Sequence, residues 1–244
     1  MGVRVPPWAP YKMIKKYCIS GDSWGVGEWK PAEPYSKGSG QYDLHRALLF
    51  FNHVVGDISQ PGDDNPRTIS KLKNYLKCCS TNFDYIIWFQ SNPLRRLEFI
   101  DVIKSSKDFS LDYNFFIETS NRYLDEDYAN LNSIGQRIYC IGGLSKLNTT
   151  LMSKYSNLVP LLESVPEFLY PDKSHPELCV GDWMLHLDRQ VKLDDLEKIN
   201  QEHKKMMSWS TEEYSKFFNI GDSHPNREAY KLLAVFIMDN IEKF

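Results

Sequence analysis

Hydrophobic residues in this chain fall into short apolar runs that alternate with segments of helical spacing. We predict strands where such runs are bounded by turn residues, over residues 13–19, 53–58, 85–89 and 137–142. The third run is apolar throughout, which is typical of a central parallel strand buried on both faces. Residues 157–162 fit either a fifth strand or part of a helix, because their periodicity does not decide between the two.

Helical spacing predicts the segments between the strands. A helix should begin at Asn65, an expected N-cap, and Pro66, an expected first helical residue. Further helices are predicted over residues 42–51 and 193–207, and after Asn226, which should cap the last helix. The predicted inner faces of the first and last helices hold Leu44, Leu48 and Phe51, and Ala229, Leu232, Leu233, Phe236, Ile237 and Ile241. Strands alternating with helices indicate an α/β protein with a mostly parallel sheet covered on both faces.

The chain has the length of one large domain. We treat residues 1–244 as a single unit, because the Pro/Gly-rich loop at 30–40 is too short to be a linker. Residues 1–12 are expected to form an extended N-terminal arm. Residues 94–135 are less regular and are a candidate insertion flanking a cleft.

Composition narrows the class of partner. The hydrophobic share is 42% and the charged share 25%, as in ordinary globular proteins. The net charge of −3 and the lack of a long basic block argue against nucleic acid or an anionic membrane as the main partner. No run approaches the length of a membrane span, and residues 1–11 have three prolines and no apolar core of a signal peptide. We therefore expect a cytoplasmic protein.

The five cysteines do not suggest a site. Their number is odd, and no Cys-x-x-Cys pair occurs, so neither a disulfide framework nor a zinc site is expected. Cys18 and Cys140 lie inside apolar runs and are predicted to be core residues.

A sharp turn follows the first predicted strand, in the segment Ile19-Ser20-Gly21-Asp22-Ser23-Trp24-Gly25. Such a turn presents one hydroxyl beyond the end of the strand. Ser23 is therefore either a nucleophile or an ordinary turn residue, and Asp22 is expected to stabilise the turn. The choice depends on whether the chain supplies the partners that a nucleophilic serine needs.

Three candidate residues follow three successive strands. Ser23 follows the first strand, Gly62 the second and Asn92 the third, while His224 precedes the last helix. In a parallel sheet the carboxyl ends of the strands lie at one edge, where functional groups gather. We therefore expect these residues to meet at that edge.

The chemistry of these side chains assigns roles to them. His224 can take the proton of Ser23, and Asp222 can hold the imidazole in the required tautomer. The backbone N–H groups of Ser23 and Gly62 and the side-chain amide of Asn92 are candidate donors to a developing oxyanion. Gly56 is a rival to Gly62, because it could instead end the second strand.

Four dispersed motifs resemble those of the SGNH/GDSL hydrolases. Gly21-Asp22-Ser23 matches the first block, Gly62 the glycine of the second, and Asp222-Ser223-His224-Pro225 the last. Gln90-Ser91-Asn92-Pro93 keeps only the Asn of the usual Gly-x-Asn-Asp block. Its overall look, short and ending in a His-Pro-Asn block, is similar to that of members encoded by large tailed bacteriophages, which would place it in the host cytoplasm or the virion.

The resemblance implies a flavodoxin-like three-layer α/β/α sandwich with a parallel sheet of about five strands. It implies a serine esterase with the triad Ser23, His224 and Asp222 and the oxyanion hole Ser23, Gly62 and Asn92. Neither a metal nor an organic cofactor is expected. The expected substrate is a short acyl ester of a small molecule or carbohydrate, with an O-acetylated carbohydrate as the first candidate.

Several alternatives remain at this point. The same triad could serve a lipase, phospholipase or thioesterase, or the chain could be a non-catalytic binding or virion structural module that kept the fold. The first block also fits the Gly-x-Ser-x-Gly elbow of α/β-hydrolases. We reject that interpretation because the elbow serine follows several strands, whereas Ser23 follows the first. Arg95 and Arg96 follow the third block and could reach substrate, but we interpret them as a solvated pair.

Overall fold

A central parallel sheet organises the chain. The computed structural model describes residues 13–22, 25, 44–60, 63–96, 98–99, 113–143, 145–171, 216–217 and 225–244. Five strands lie in the order β2-β1-β3-β4-β5, and each neighbouring pair is parallel. The strands are β1 (Lys16–Ser20), β2 (Val54–Asp57), β3 (Tyr85–Gln90), β4 (Ile138–Gly142) and β5 (Leu158–Leu162). Residues 157–162, left open by their periodicity, thus contain a strand.

Helices connect the strands and cover both faces of the sheet. The described helices are α1 (Leu44–Phe50), α2 (Asn65–Cys78), α3 (Tyr113–Asn132), α4 (Thr149–Met152), α5 (Val165–Leu169) and α6 (Arg227–Asn240). Short 3-10 turns span Pro93–Arg95 and Ile241–Lys243. The predicted helix over residues 193–207 and the predicted arm over residues 1–12 lie outside the described residues.

Alternate residues of each strand face opposite layers, as the strand period of two requires. Ile19, Ile87 and Ile141 pack in the core that α1, α5 and α6 cover. Cys18 and Trp88 pack on the other side, in the core that α2, α3 and α4 cover. The predicted three-layer α/β/α sandwich with a five-stranded parallel sheet is confirmed.

The central strand is β3, as its unbroken apolar sequence predicts. It pairs with β1 on one side and with β4 on the other. Gly56 lies inside β2, where it pairs with Cys18, and so it does not end that strand. The order of the strands along the sheet reverses between β1 and β3. In open α/β sheets the crevice beyond this reversal is where ligands bind.

The N-terminus of α2 differs from the prediction by one residue. The N-cap is Asp64, whose side chain accepts a hydrogen bond from the backbone N–H of Arg67 at 2.9 Å. Asn65 is instead the first helical residue, and its side chain is engaged elsewhere. Asn226 caps α6 as predicted, by accepting from the N–H groups of Glu228 and Ala229.

Two predicted inner-face residues lie at the surface. Phe51 follows the end of α1 and is 36% exposed, because the helix ends at Phe50. Leu232 is 45% exposed, and Tyr230 and Ala234 are buried on α6 instead. The inner face of α6 is therefore rotated from the one that the apolar residues alone indicate.

The crossover from β3 to β4 contains the longest described helix. Leu124, Tyr128 and Leu131 of α3 are buried against the sheet. This helix therefore belongs to the core. We predicted a cleft-flanking insertion within residues 94–135. For the part that precedes α3, this stays a prediction.

Candidate active site

Most of the predicted catalytic residues lie outside the described part of the chain. These are Ser23, Gly62, Asp222 and His224. The structure does describe Asn92, the glycines Gly21 and Gly25 on either side of Ser23, and the residues that hold the third block.

The end of β1 approaches its neighbours very closely. A Cβ atom on Gly21 would lie 2.7 Å from the Cβ atom of Phe89 in β3, and one on Gly25 would lie 2.4 Å from Oγ of Ser59. The carbonyl of Gly21 also accepts a hydrogen bond from the N–H of Gln60, at 3.0 Å. Glycine at both positions thus lets the backbone on either side of the turn pack against β3 and against the segment that follows β2.

Asp22 supports the turn, as the sequence predicts. It is buried, and its backbone carbonyl accepts from the N–H of Gly25 at 3.0 Å. Its carboxylate pairs with the guanidinium of Arg95, with 3.1 Å between Nη1 and Oδ2. Because Arg95 follows the third block, this ion pair joins the turn after β1 to the turn after β3.

Asn92 lies directly after the central strand, where a donor to an oxyanion is expected. It is the N-cap of the Pro93–Arg95 turn, and its Oδ1 atom accepts from the N–H of Leu94 at 3.0 Å. The backbone carbonyl of Asn92 accepts from the N–H of Arg95, also at 3.0 Å. The side-chain bond orients the amide plane, with the oxygen toward the turn and the nitrogen at the opposite end.

Asn65 links the second block to the third. Its Oδ1 atom accepts from the backbone N–H of Ser91 at 2.7 Å, and its Nδ2 atom donates to Oδ2 of Asp127 at 3.0 Å. Asn65 is 1% exposed, so both bonds lie in the interior. The residue preceding Asn92 is therefore held by a side chain at the first turn of α2.

A buried ion pair completes this network. The guanidinium of Arg96 donates to Asp127 and to the backbone carbonyl of Tyr123, and it also pairs with Glu126. It stacks over the ring of Tyr123, 4.3 Å from the ring centroid. Arg96 is only 7% exposed, so its interpretation as a solvated residue is wrong. Two acidic residues of α3, Glu126 and Asp127, supply the countercharge.

The pKa of Asp127 is high for a carboxyl group that has a cationic partner. Burial raises its pKa to about 6, although Arg96 and Asn65 oppose the shift by stabilising the ionised form. Desolvation thus outweighs the ion pair. The network that holds Ser91 consequently contains a group whose charge changes in the mildly acidic range.

Gln90 takes the place of the usual first glycine of the third block, and it is fully buried. Its Nε2 atom donates to the backbone carbonyl of Lys146 at 2.8 Å, and its Oε1 atom accepts from the hydroxyl of Tyr128 at 2.7 Å. The side chain therefore fastens β3 to the loop after β4. The departure from the family pattern has a structural role in this chain.

Cys18 and Cys140 are fully buried, in surroundings that disfavour the thiolate. Burial raises the pKa of Cys18 to about 12 and raises the pKa of Cys140 as well. His53 packs near α6, where its Nδ1 atom accepts from the N–H of Lys15 and its ring lies edge-on to Tyr17. The prediction that Cys18 and Cys140 are core residues is confirmed.

Sequence reasoning missed Asn65, Asp127 and Gln90 as supports of the site. Gln90 carried a signal, because it is a polar residue at the end of an otherwise apolar strand. Asn65 was recognised only as a cap. Asp127 carried no signal, because an acidic residue on a helix is usually solvated.

No family model matches the chain, and no curated protein matches it in sequence. The solved structures that resemble it include the esterase EstA from Pseudoalteromonas sp., at 10% identity and TM-score 0.47, with 94% of this chain and 97% of that one covered. Another is a lipase/acylhydrolase from Enterococcus faecalis, at 14% identity and TM-score 0.39, with coverages of 94% and 96%.

A third is a catalytic mutant of the acetylxylan esterase Axe2 from Geobacillus stearothermophilus, at 12% identity and TM-score 0.40, with coverages of 93% and 94%. All three likenesses are loose, and no conclusion about the activity of this chain follows from them. No described helix is long and apolar enough to cross a membrane.

Proposed function

We propose that this chain is a serine ester hydrolase of the SGNH/GDSL type, with Ser23 as nucleophile. Ser23 Oγ attacks the ester carbonyl carbon while His224 takes its proton, and Asp222 orients the imidazole. The tetrahedral intermediate collapses, the alcohol leaves with a proton from His224, and an acyl-Ser23 remains. Water, activated by His224, then attacks the acyl carbon and releases the acid.

The proposal rests on one observation. The turns after β1 and after β3, where the strand order reverses, are fixed to each other. The turn after β1 and the turn after β3 are joined by the Asp22–Arg95 ion pair. Asn92 lies in the second turn with its side-chain amide oriented by Leu94. An oxyanion hole needs donors that are fixed before the reaction, because reorientation during catalysis would cost energy.

The fixed position of Ser91 supports the same role for its neighbour. The bond from Asn65 holds the backbone one residue before Asn92. We infer that the backbone N–H groups of Ser23 and Gly62 and the amide of Asn92 together stabilise the oxyanion. The intact third-block Asn and its supports favour an enzyme over a module that has only kept the fold.

The proposed substrate is a short acyl ester, with an O-acetylated carbohydrate as the first candidate. The proposed reaction needs no metal or organic cofactor, because nucleophile, base and oxyanion donors all come from the chain. The proposed setting is the cytoplasm, or the host cytoplasm or virion if a phage encodes the chain.

A fluorophosphonate probe tests the nucleophile directly. Wild type should become covalently labelled, Ser23→Ala should not, and Ser133→Ala should label like wild type. Ser133 is a matched control because it is an exposed serine at the end of α3, where its hydroxyl donates to the carbonyl of Asn130. Labelling of Ser23→Ala, or no labelling of wild type together with no turnover of p-nitrophenyl acetate, would overturn the proposal.

A further inference from the structure

Lys71 of α2 reaches back to the segment that follows β2. The helix begins at Asn65, so Lys71 lies inside it, in the second turn. Side chains of a helix lean toward its N-terminus, and a lysine here can therefore cover the chain that leads into the helix. Its ammonium group donates to Oε1 of Gln60 and forms an ion pair with Oδ2 of Asp63. Gln60 and Asp63 are thus held by the same cation.

The two residues that Lys71 binds stand on either side of Gly62, the proposed donor of the second block. Their backbones are also joined, because the N–H of Asp63 donates to the carbonyl of Gln60 at 3.3 Å. The N–H of Gln60 donates in turn to the carbonyl of Gly21, directly after β1, at 3.0 Å. The neighbours of Gly62 are therefore attached to α2, to each other and to the first block.

The bonded groups differ in their exposure. The side chain of Asp63 is 8% exposed, whereas that of Lys71 is 38% exposed. A buried carboxylate needs a partner, because burying it alone is unfavourable. An ion pair that remains in contact with water adds little to stability, so loss of Lys71 should not unfold the protein. Lys71 should matter more for the position of the segment after β2 than for the free energy of unfolding.

A donor of the second block has a particular need for such support. The N–H of Gly62 can stabilise an oxyanion only if its direction is fixed before the reaction. Glycine has the widest choice of backbone conformations, so its direction depends on its neighbours. The third block has Asn65 as its support, through the bond to the N–H of Ser91. The bonds from Lys71 to Gln60 and Asp63 would give the second block an equivalent one.

We propose that Lys71 is a positioning residue of the oxyanion hole. It holds Gln60 and Asp63 together and so orients the N–H of Gly62, without itself contacting the substrate. The inference rests on the proposed function and extends it to a residue outside the sequence motifs. We call the three bonded residues, Lys71, Gln60 and Asp63, the lysine clamp.

Lys71→Met tests the clamp, because it keeps the length of the side chain and removes its donors. Turnover of p-nitrophenyl acetate should fall about tenfold to 100-fold in kcat, with KM within about twofold of wild type, since a displaced donor affects mainly the transition state. Lys71→Arg restores a cation with several donors and should recover kcat to within about threefold of wild type.

Lys73→Met is the matched control. Lys73 lies in the same helix and donates to neither Gln60 nor Asp63. This variant removes the same charge and should turn over ester like wild type. Equal losses in Lys71→Met and Lys73→Met, or no recovery in Lys71→Arg, would contradict the proposal.

Asp63→Ala separates the clamp from an effect of the lysine charge alone. The substitution leaves the charge of Lys71 in place and removes its carboxylate partner. An effect of charge alone would leave kcat unchanged or raise it, whereas the clamp predicts a fall of about tenfold. Lys71→Met combined with Asp63→Ala should be no slower than the slower single variant, because both break the same contact. Unchanged kcat in Asp63→Ala, or losses that multiply, would overturn the proposal.

Hydrogen exchange separates failure of this inference from failure of the proposed function. The backbone amides of residues 60–63 should exchange at least about fivefold faster in Lys71→Met than in wild type or Lys73→Met, while those of β3 stay unchanged. If wild type hydrolyses no ester, the proposed function falls, and the exchange rates alone decide whether the clamp holds this segment. If wild type is active, unchanged exchange or undiminished turnover in Lys71→Met overturns the positioning role alone.

Discussion

The two faces of the sheet are built from different chemistry. Between the sheet and the helices α1, α5 and α6, the core consists of aliphatic and aromatic side chains such as Ile19, Ile87 and Ile237. The other face adds directional bonds to its apolar core. Thr68 accepts there from the indole N–H of Trp88 at 3.0 Å, and Tyr128 donates to Gln90.

This difference separates stability from positioning. Apolar contacts have no preferred direction, so they stabilise the sheet without fixing any one atom. Hydrogen bonds and ion pairs fix donors and acceptors in space, and on this molecule they converge on the third block. We infer that the polar face determines the geometry of the site, while the apolar face mainly contributes to the free energy of unfolding.

The largest effect should come from Asn92, the proposed oxyanion donor. Asn92→Ala should lower kcat about 100-fold to 1,000-fold, since one donor of an oxyanion hole has this effect. It should also lower the thermal midpoint modestly, because the N–H of Leu94 loses its side-chain acceptor. Ester hydrolysis and thermal unfolding measure the two quantities. Ile237→Val, on the apolar face, should lower the free energy of unfolding by about 1 kcal/mol and leave kcat unchanged. Unchanged turnover in Asn92→Ala would remove Asn92 from the oxyanion hole.

A somewhat smaller effect is expected when the buried ion pair between Arg96 and Asp127 is broken, and it concerns stability. Asp127→Ala leaves Arg96 in the interior with only Glu126 as countercharge, so the free energy of unfolding should fall by about 3 kcal/mol. Urea unfolding at neutral pH gives the value. The Asp127→Ala protein that remains folded should also hydrolyse ester more slowly, because Asn65 loses the acceptor that orients its side chain. A loss of stability with undiminished turnover would show that the polar face does not position the site.

The pH dependence of stability gives the smallest and most specific test. The pKa of Asp127 is raised to about 6 by burial, against about 4 in an unfolded chain. The folded state therefore binds the proton more tightly, and the stability from this group is complete below pH 4 and lost as the pH rises through 6. Relative to Asp127→Asn, wild type should lose about 2–3 kcal/mol between pH 4 and pH 7.

Urea unfolding of both proteins at several pH values in this interval measures the difference. Asn at position 127 cannot titrate, so it removes only the contribution of this carboxyl group. If the difference in free energy of unfolding between wild type and Asp127→Asn stays constant with pH, the pKa of Asp127 is the same in the folded and unfolded states. Burial on the polar face would then not disfavour the carboxylate.

The sequence was informative where one physical effect dominates. Continuous apolar runs predicted the strands, because burial on both faces leaves no place for polar residues. The strand order then followed the pattern expected for an α/β protein. Asp64 and Asn65 show the opposite case, since both residue types cap helices well and only the engagement of Asn65 with Ser91 decides which one does so.

The supports of the site could not be predicted for a similar reason. Arg96 and Asp127 are 31 residues apart, and each is of a type that is usually solvated. Their pairing depends on how α3 lies on the sheet, which local patterns do not contain. The roles of Ser23, Gly62, Asp222 and His224 stay predictions, because these residues lie outside the described part of the chain.

The close approach of Gly21 to Phe89 has a consequence for engineering. Any side chain at position 21 would collide with the central strand, so this position offers no room for a combinatorial library. The segment 145–150, by contrast, is attached through Gln90 and Tyr128, and its exposed side chains can be exchanged without moving β3. Libraries of variants should therefore begin at the exposed Thr150 and leave Gly21 untouched.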